Sequence, residues 1–123
     1  FCLHVGMHLD AGKLAALFRE AARVLRPGGT FVFDIVSATR RAVVRRPATG
    51  WHGDTCLSGS ELVAMGARAG LSLTGTRGIA MAPIHRLSEA LRPAMLPLDN
   101  LLCALAPGLA SYLVARFRKE AQS

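Results

Sequence analysis

An α/β layered fold built on a parallel sheet is predicted by three observations. The first is order: apolar runs of strand length alternate with stretches of helical spacing as strand, helix, strand, helix, strand, which requires crossover connections. The second is Thr30-Phe31-Val32-Phe33-Asp34-Ile35-Val36, a β-branched and aromatic run with almost no alternation, as in a strand covered on both faces. The third is bulk: 123 residues, 51% hydrophobic and 19% charged, have the size of one core and are too apolar for a disordered chain.

Phe1-Cys2-Leu3-His4-Val5 is a short apolar run bounded by Gly6, the pattern of a buried strand. It opens on Phe rather than Met, with no charged leader ahead of an apolar segment, so it reads as a strand that has lost its opening residues and leaves an edge open. Asp10 stands at a helix N-cap. Leu14, Leu17, Phe18, Ala21, Ala22, Val24 and Leu25 then recur at helical spacing until Pro27-Gly28-Gly29 ends the helix. After the strand at 30–36, residues Ser37 to Leu57 are polar, basic and irregular. A loop of that length inside a compact domain is usually functional or disordered, and it is expected to act as a lid or substrate loop.

Ser58 with Glu61 three residues on forms a capping box, and Leu62, Val63, Met65 and Ala69 mark the apolar face of a helix reaching Gly70. A strand from about Leu71 to Ala80 follows. Residues 83–105 read as one or two short helices broken by Pro93 and Pro97. Leu109 to Phe117, after Pro107-Gly108, fits helix or strand by pattern alone.

Fifteen Lys plus Arg against 8 Asp plus Glu give a formal charge of +7, which favours solubility and acidic partners and says nothing of fold. The dense cluster Arg40, Arg41, Arg45 and Arg46 lacks the interleaved aromatics of a base-stacking platform, so a solvated surface is expected there and nucleic acid is not an expected partner. Cys2, Cys56 and Cys103 are odd in number and widely spaced, which suits a reducing cytoplasm and indicates neither a disulfide framework nor a metal site. No uncharged run long enough to span a bilayer occurs, and no transmembrane segment is expected. The apolar stretch at 95–117, interrupted by Asp99 and two prolines, suits an apolar cap over a greasy substrate or a membrane surface.

The segment Glu20-Ala21-Ala22-Arg23-Val24-Leu25-Arg26-Pro27-Gly28-Gly29, followed by Thr30 to Phe33, resembles the helix-to-strand junction of class I S-adenosylmethionine-dependent methyltransferases, type 11-like, written E-x-x-R-V-L-[RK]-P-G-G. Cys2-Leu3-His4-Val5-Gly6-Met7-His8-Leu9 is similar to that family's fourth strand and following loop, often C-L-N-V-L-H-H-L, with Met7 in place of the first histidine. Leu57 to Leu62 through Arg68-Ala69-Gly70-Leu71 looks like its final helix and strand corner. Ala110 to Lys119 resembles its closing strand, which decides for strand there.

The resemblance implies a partial Rossmann-like methyltransferase sheet, fourth to seventh strands with the last antiparallel, and flanking helices. Residues 1–123 would be the C-terminal part of a single methyltransferase domain, with 37–57 and 83–108 as variable substrate-side segments. The cofactor implied is S-adenosylmethionine and the partner a small-molecule methyl acceptor. The family's glycine-rich loop and ribose-binding acid stand nowhere in these residues, so the chain alone is expected to be inactive. An unpaired strand edge would permit homodimerisation. Alternatives are a standalone basic interaction module binding nucleic acid or a partner, and a pseudoenzyme that keeps the fold.

His4 and Val5 fall at the C-terminal end of a strand, where open α/β sheets bind ligands, and are the cofactor-side candidates. His8 and His52 are candidate catalytic bases, since imidazole titrates near neutral pH, although a lone histidine is more commonly a packed or surface residue. Asp34, a carboxylate within an apolar strand, and Trp51 in the long loop are the substrate-side candidates. The plainer alternatives are a structural carboxylate and a loop anchor.

Overall fold

The computed structural model describes residues 1–3, 5–45 and 55–121. Helix α1 (Ala11–Val24) starts where Asp10 Oδ1 accepts the Lys13 N–H at 2.8 Å, and it buries Leu14, Phe18, Ala21 and Ala22. Its C-terminal carbonyls are satisfied from far along the chain: Lys119 Nζ donates to Ala22 O at 2.6 Å and to Leu25 O at 2.8 Å. Gly28, at φ 77°, makes the left-handed turn after Pro27 that a side chain would strain. Its N–H and the Gly29 carbonyl then pair with Lys119.

Strand β1 (Thr30–Ser37) follows, then α2 (Ala38–Val43), β2 (Cys56–Leu57), α3 (Gly59–Arg68), β3 (Leu71–Ile79), α4 (Arg92–Leu105) and β4 (Tyr112–Lys119), with 3₁₀ turns at Gly6–His8, Ile84–Arg86 and Pro107–Leu109. The sheet order is β2-β1-β4-β3. Strand β4 runs antiparallel between β1 and β3, and β2 runs parallel to β1 on its outer side. The predicted capping box is present on α3: Ser58 Oγ accepts the Glu61 N–H and Glu61 Oε2 accepts the Ser58 N–H.

Alternation along the strands sorts two faces. Phe31, Phe33, Ile35, Leu113, Ala115 and Phe117 meet α1 and α3 in one core, where the Phe18 ring stands edge-on to Phe31, Phe33 and Phe117 at 5.5, 5.2 and 5.1 Å. Val32, Asp34 and Val36, opposite Arg116, Val114 and Tyr112, take the other face.

Three expectations need correction. The run 1–5 is not a buried strand: it shrinks to one parallel bridge, Cys2 to Phe33, with Phe1 96% exposed and Leu3 and Val5 also exposed. With Phe1, Leu3 and Val5 facing solvent, the described residues of this run bury too little apolar surface to hold a full strand there. Residues 37–57 are not irregular throughout, since Ser37 caps α2 and Cys56–Leu57 join the sheet. Nor do the prolines break α4. Pro93 lies in the first turn, where its missing N–H costs nothing, and Pro97 forfeits one bond inside the helix without ending it.

Candidate functional site

The Cys2 segment, β1 and β2 run parallel, so their C-terminal ends share one edge of the sheet. In open α/β sheets that edge is where ligands bind. The chain leaves the Cys2 segment through the turn Gly6–His8, closed by His8 N–H to Val5 O at 3.0 Å and Leu9 N–H to Gly6 O at 3.2 Å. Gly6 is buried against β1. A Cβ there would overlap the Phe33 ring and stand 3.0 Å from the Asp34 carbonyl oxygen, so only glycine lets the turn lie this close. Thr55 Oγ1 donates to the Leu9 carbonyl and ties the approach to β2 onto the same turn.

Asp34 is buried, 5% exposed, on the face away from the phenylalanines, with Val114 across from it and Tyr112 diagonal to it. Its charge reaches Cys2: burial first, and then Asp34, push the Cys2 thiol above its ordinary pKa against the opposing pull of the N-terminal ammonium. The edge therefore joins three of the residues singled out from sequence, Val5, His8 and Asp34, with Val5 and His8 facing outward. His4, Trp51 and His52 lie outside the described residues.

Ser37 escaped the sequence reading. Fully buried at the end of β1, it accepts the Arg40 N–H at 3.2 Å and donates to Gly108 O at 2.6 Å. Arg40 donates to Leu109 O at 3.0 Å, and Arg41 approaches Cys56 Sγ at 3.7 Å. Ser37 and Arg40 thus meet the Pro107–Leu109 turn, distant in sequence, at the end of β1. Asp99 was missed in the same way. It is buried in α4, accepts the Ala82 N–H at 2.6 Å, and stands 3.8 Å from Cys103 Sγ, whose pKa is raised mainly by burial and further by the Asp99 charge. A serine between an apolar strand and Ala-Thr-Arg-Arg-Ala is a readable N-cap signal. Nothing local announces the Asp99 partner, 17 residues away.

Among the described residues no group of His, Cys, Asp and Glu could hold a metal ion, and no helix is long and apolar enough to cross a membrane.

An antiparallel strand inserted between two parallel ones, helices against one face and a glycine-tight turn at the sheet's C-terminal edge define a partial Rossmann-like methyltransferase fold. In this fold the chain is similar to the S-adenosylmethionine-dependent methyltransferase from Mesorhizobium loti, with a TM-score of 0.57 at 18% identity over 96% of this chain. The chain spans 59% of the length of that structure. No protein-family model and no curated protein matches the sequence.

The Val5 to His8 turn, with Leu3 and Val5 exposed, gives that edge a one-sided, open wall among the described residues.

Proposed function

We propose that residues 1–123 are the C-terminal part of a single methyltransferase domain of the type 11-like class, whose whole enzyme moves a methyl group from S-adenosylmethionine to a small-molecule acceptor in the cytoplasm. The observation that carries this reading is the sheet order: antiparallel β4 between β1 and β3, with a parallel segment bridged to the outer side of β1. That is the part of a methyltransferase sheet lying beyond its first three strands. The likeness in fold to the Mesorhizobium enzyme supports it.

In this reading His4 and Val5 flank the cofactor, His8 and His52 take the proton where the acceptor must lose one, and Asp34 and Trp51 belong to the substrate side. Segments 37–57 and 83–108 are the variable walls of the acceptor pocket. The one-sided wall at Val5 to His8 supports the corollary that this chain alone neither holds the cofactor tightly nor turns over.

Intact mass of the native gene product tests the reading. A mass above 13.1 kDa by on the order of 100 residues is expected, with a glycine-rich loop in the added sequence. A product of 13.1 kDa, or methyl transfer by the purified chain itself, overturns it.

A further inference from the structure

Ala80, which follows β3, holds a backbone conformation that suits glycine. Its φ is 59°, in the left-handed region, where a β-carbon crowds the following carbonyl. The residue is nonetheless a fixed corner. Its carbonyl accepts the Ser111 N–H at 3.1 Å, beside the Ile79–Tyr112 pair, so the chain leaves the sheet and returns to it at one place. An alanine kept in this region is strained, and strain persists only where surrounding contacts over-determine it.

Those contacts come from α4. The two backbone N–H groups after Ala80 are both taken by its side chains: Met81 N–H by the Cys103 sulfur, and Ala82 N–H by Asp99 Oδ1 at 2.6 Å. Asp99 and Cys103 stand one helical turn apart, with 3.8 Å between Sγ and Oδ2, and they are the two residues that α4 buries. The helix is therefore seated by gripping the two residues that follow the left-handed one.

The far end of α4 is pinned separately. A Cβ on buried Gly78 would overlap that of Ala110 and stand 3.1 Å from Pro107, so the Pro107–Leu109 turn lies tight on β3. Ser37 Oγ and Arg40 hold the same turn through Gly108 O and Leu109 O. That turn is a fixed pivot, and the grip at residues 81 and 82 is a point of release.

We propose that residues 80–105 form a spring-loaded strap: seated α4 holds Ala80 left-handed through Met81 and Ala82, and when α4 lifts about the Pro107–Leu109 turn, Ala80 relaxes to an extended backbone. The strain makes seating weaker than its contacts alone would make it, while the layer of sheet and helices beneath keeps its packing. The strap lies in the segment assigned above to the acceptor pocket, so its lifting would admit an acceptor. That use rests on the methyltransferase reading, whereas the hinge itself does not.

Amide hydrogen exchange of the 123-residue chain, without cofactor or acceptor, tests the hinge, and its failure leaves the methyltransferase reading untouched. Amides of α4 should exchange about tenfold or more faster than the slowest of α1 and β1, which wait for global unfolding. Ala80→Gly removes the crowding from the seated state and should slow exchange of α4 about threefold. Unchanged α4 rates with α1 and β1 slowed would mean that Ala80 stays left-handed when α4 lifts. No slowing anywhere would mean that Ala80 holds no strain, and one common rate for α4, α1 and β1 would mean that the strap does not lift by itself. Each of these three results overturns the proposal. A direct reading comes from Asp99→Ala/Cys103→Ala, whose strap has lost both grips: the α- and β-carbon chemical shifts of Ala80 should move from left-handed to extended values. Left-handed shifts retained in that variant also overturn the proposal, because the Ser111 bond would then set the corner without α4.

Discussion

The wedge around Phe18 and the segment around α4 are held by different kinds of force. In the wedge, one ring from α1 stands edge-on to three rings of the sheet, and Leu14, Ile35 and Leu62 close round it with no solvent access. That stabilisation is spread over apolar area and is non-directional. Helix α4 buries only Asp99 and Cys103, and this segment is fastened by single polar links: Asp99 to the Ala82 amide, and Gly108 to Ser37. A segment attached in this way can be loosened without unfolding the layer beneath it.

Removing the shared ring is the most damaging way to break the contrast. Phe18→Ala should cost about 3–5 kcal/mol, since it empties a fully buried site and deletes three edge-to-face pairs together. Chemical denaturation should show one cooperative transition moved to much lower urea. A loss below about 1 kcal/mol would mean that the core has collapsed into the hole and that its packing is less specific than the ring geometry implies.

Cutting the α4 link sharpens the comparison. Asp99→Ala leaves the Ala82 amide without its acceptor and should cost about 1–3 kcal/mol. The effect should be local: hydrogen exchange of α4 amides accelerates while α1 and β1 keep their protection. Uniform acceleration across both regions would show that the segment and the wedge unfold as one unit.

The same division explains what could be read from the residues. Periodicity found α1 and α3 because apolar burial repeats with the helix, a continuous β-branched and aromatic run found β1, and Asp10 and Ser58 cap their helices as local rules require. The resemblance at Ala110 to Lys119 decided for a strand at β4, which pattern alone left open. Ser37, Asp99 and Lys119 went unseen in their roles because each acts through one long-range hydrogen bond or pair of bonds, and such bonds leave no period. Continuity of α4 through Pro97 was hidden for a related reason. The local penalty is visible in sequence, whereas the Asp99 bond to the Ala82 N–H that fastens the helix is not. Of the edge residues, Val5 was named from its place at a strand end, His8 as an imidazole that titrates near neutral pH and Asp34 as a carboxylate within an apolar strand. Gly6, which lets their turn lie flat on Phe33, was read only as a boundary.

The smallest expected effect lies at the start of α3, where a local device serves the well-packed region. Ser58 Oγ and the Glu61 carboxylate exchange hydrogen bonds with each other's backbone at 3.3 and 2.7 Å, on the surface, while Leu62 one residue on is fully buried. Ser58→Ala should therefore cost about 1 kcal/mol, the ordinary value of a cap, without detaching the helix. The bond from the Ser58 N–H holds the Glu61 carboxyl below its ordinary pKa. A depressed carboxylate stabilises the fold fully above its unfolded value and loses that contribution as pH falls through the folded one. Urea midpoints taken from about pH 6 down to about pH 3 should thus fall more steeply for the parent chain than for Glu61→Gln, whose amide oxygen accepts the same bond without titrating. Parallel curves would mean that the carboxylate's charge adds nothing to the cap and that Leu62, buried in the core, fixes the helix start by itself.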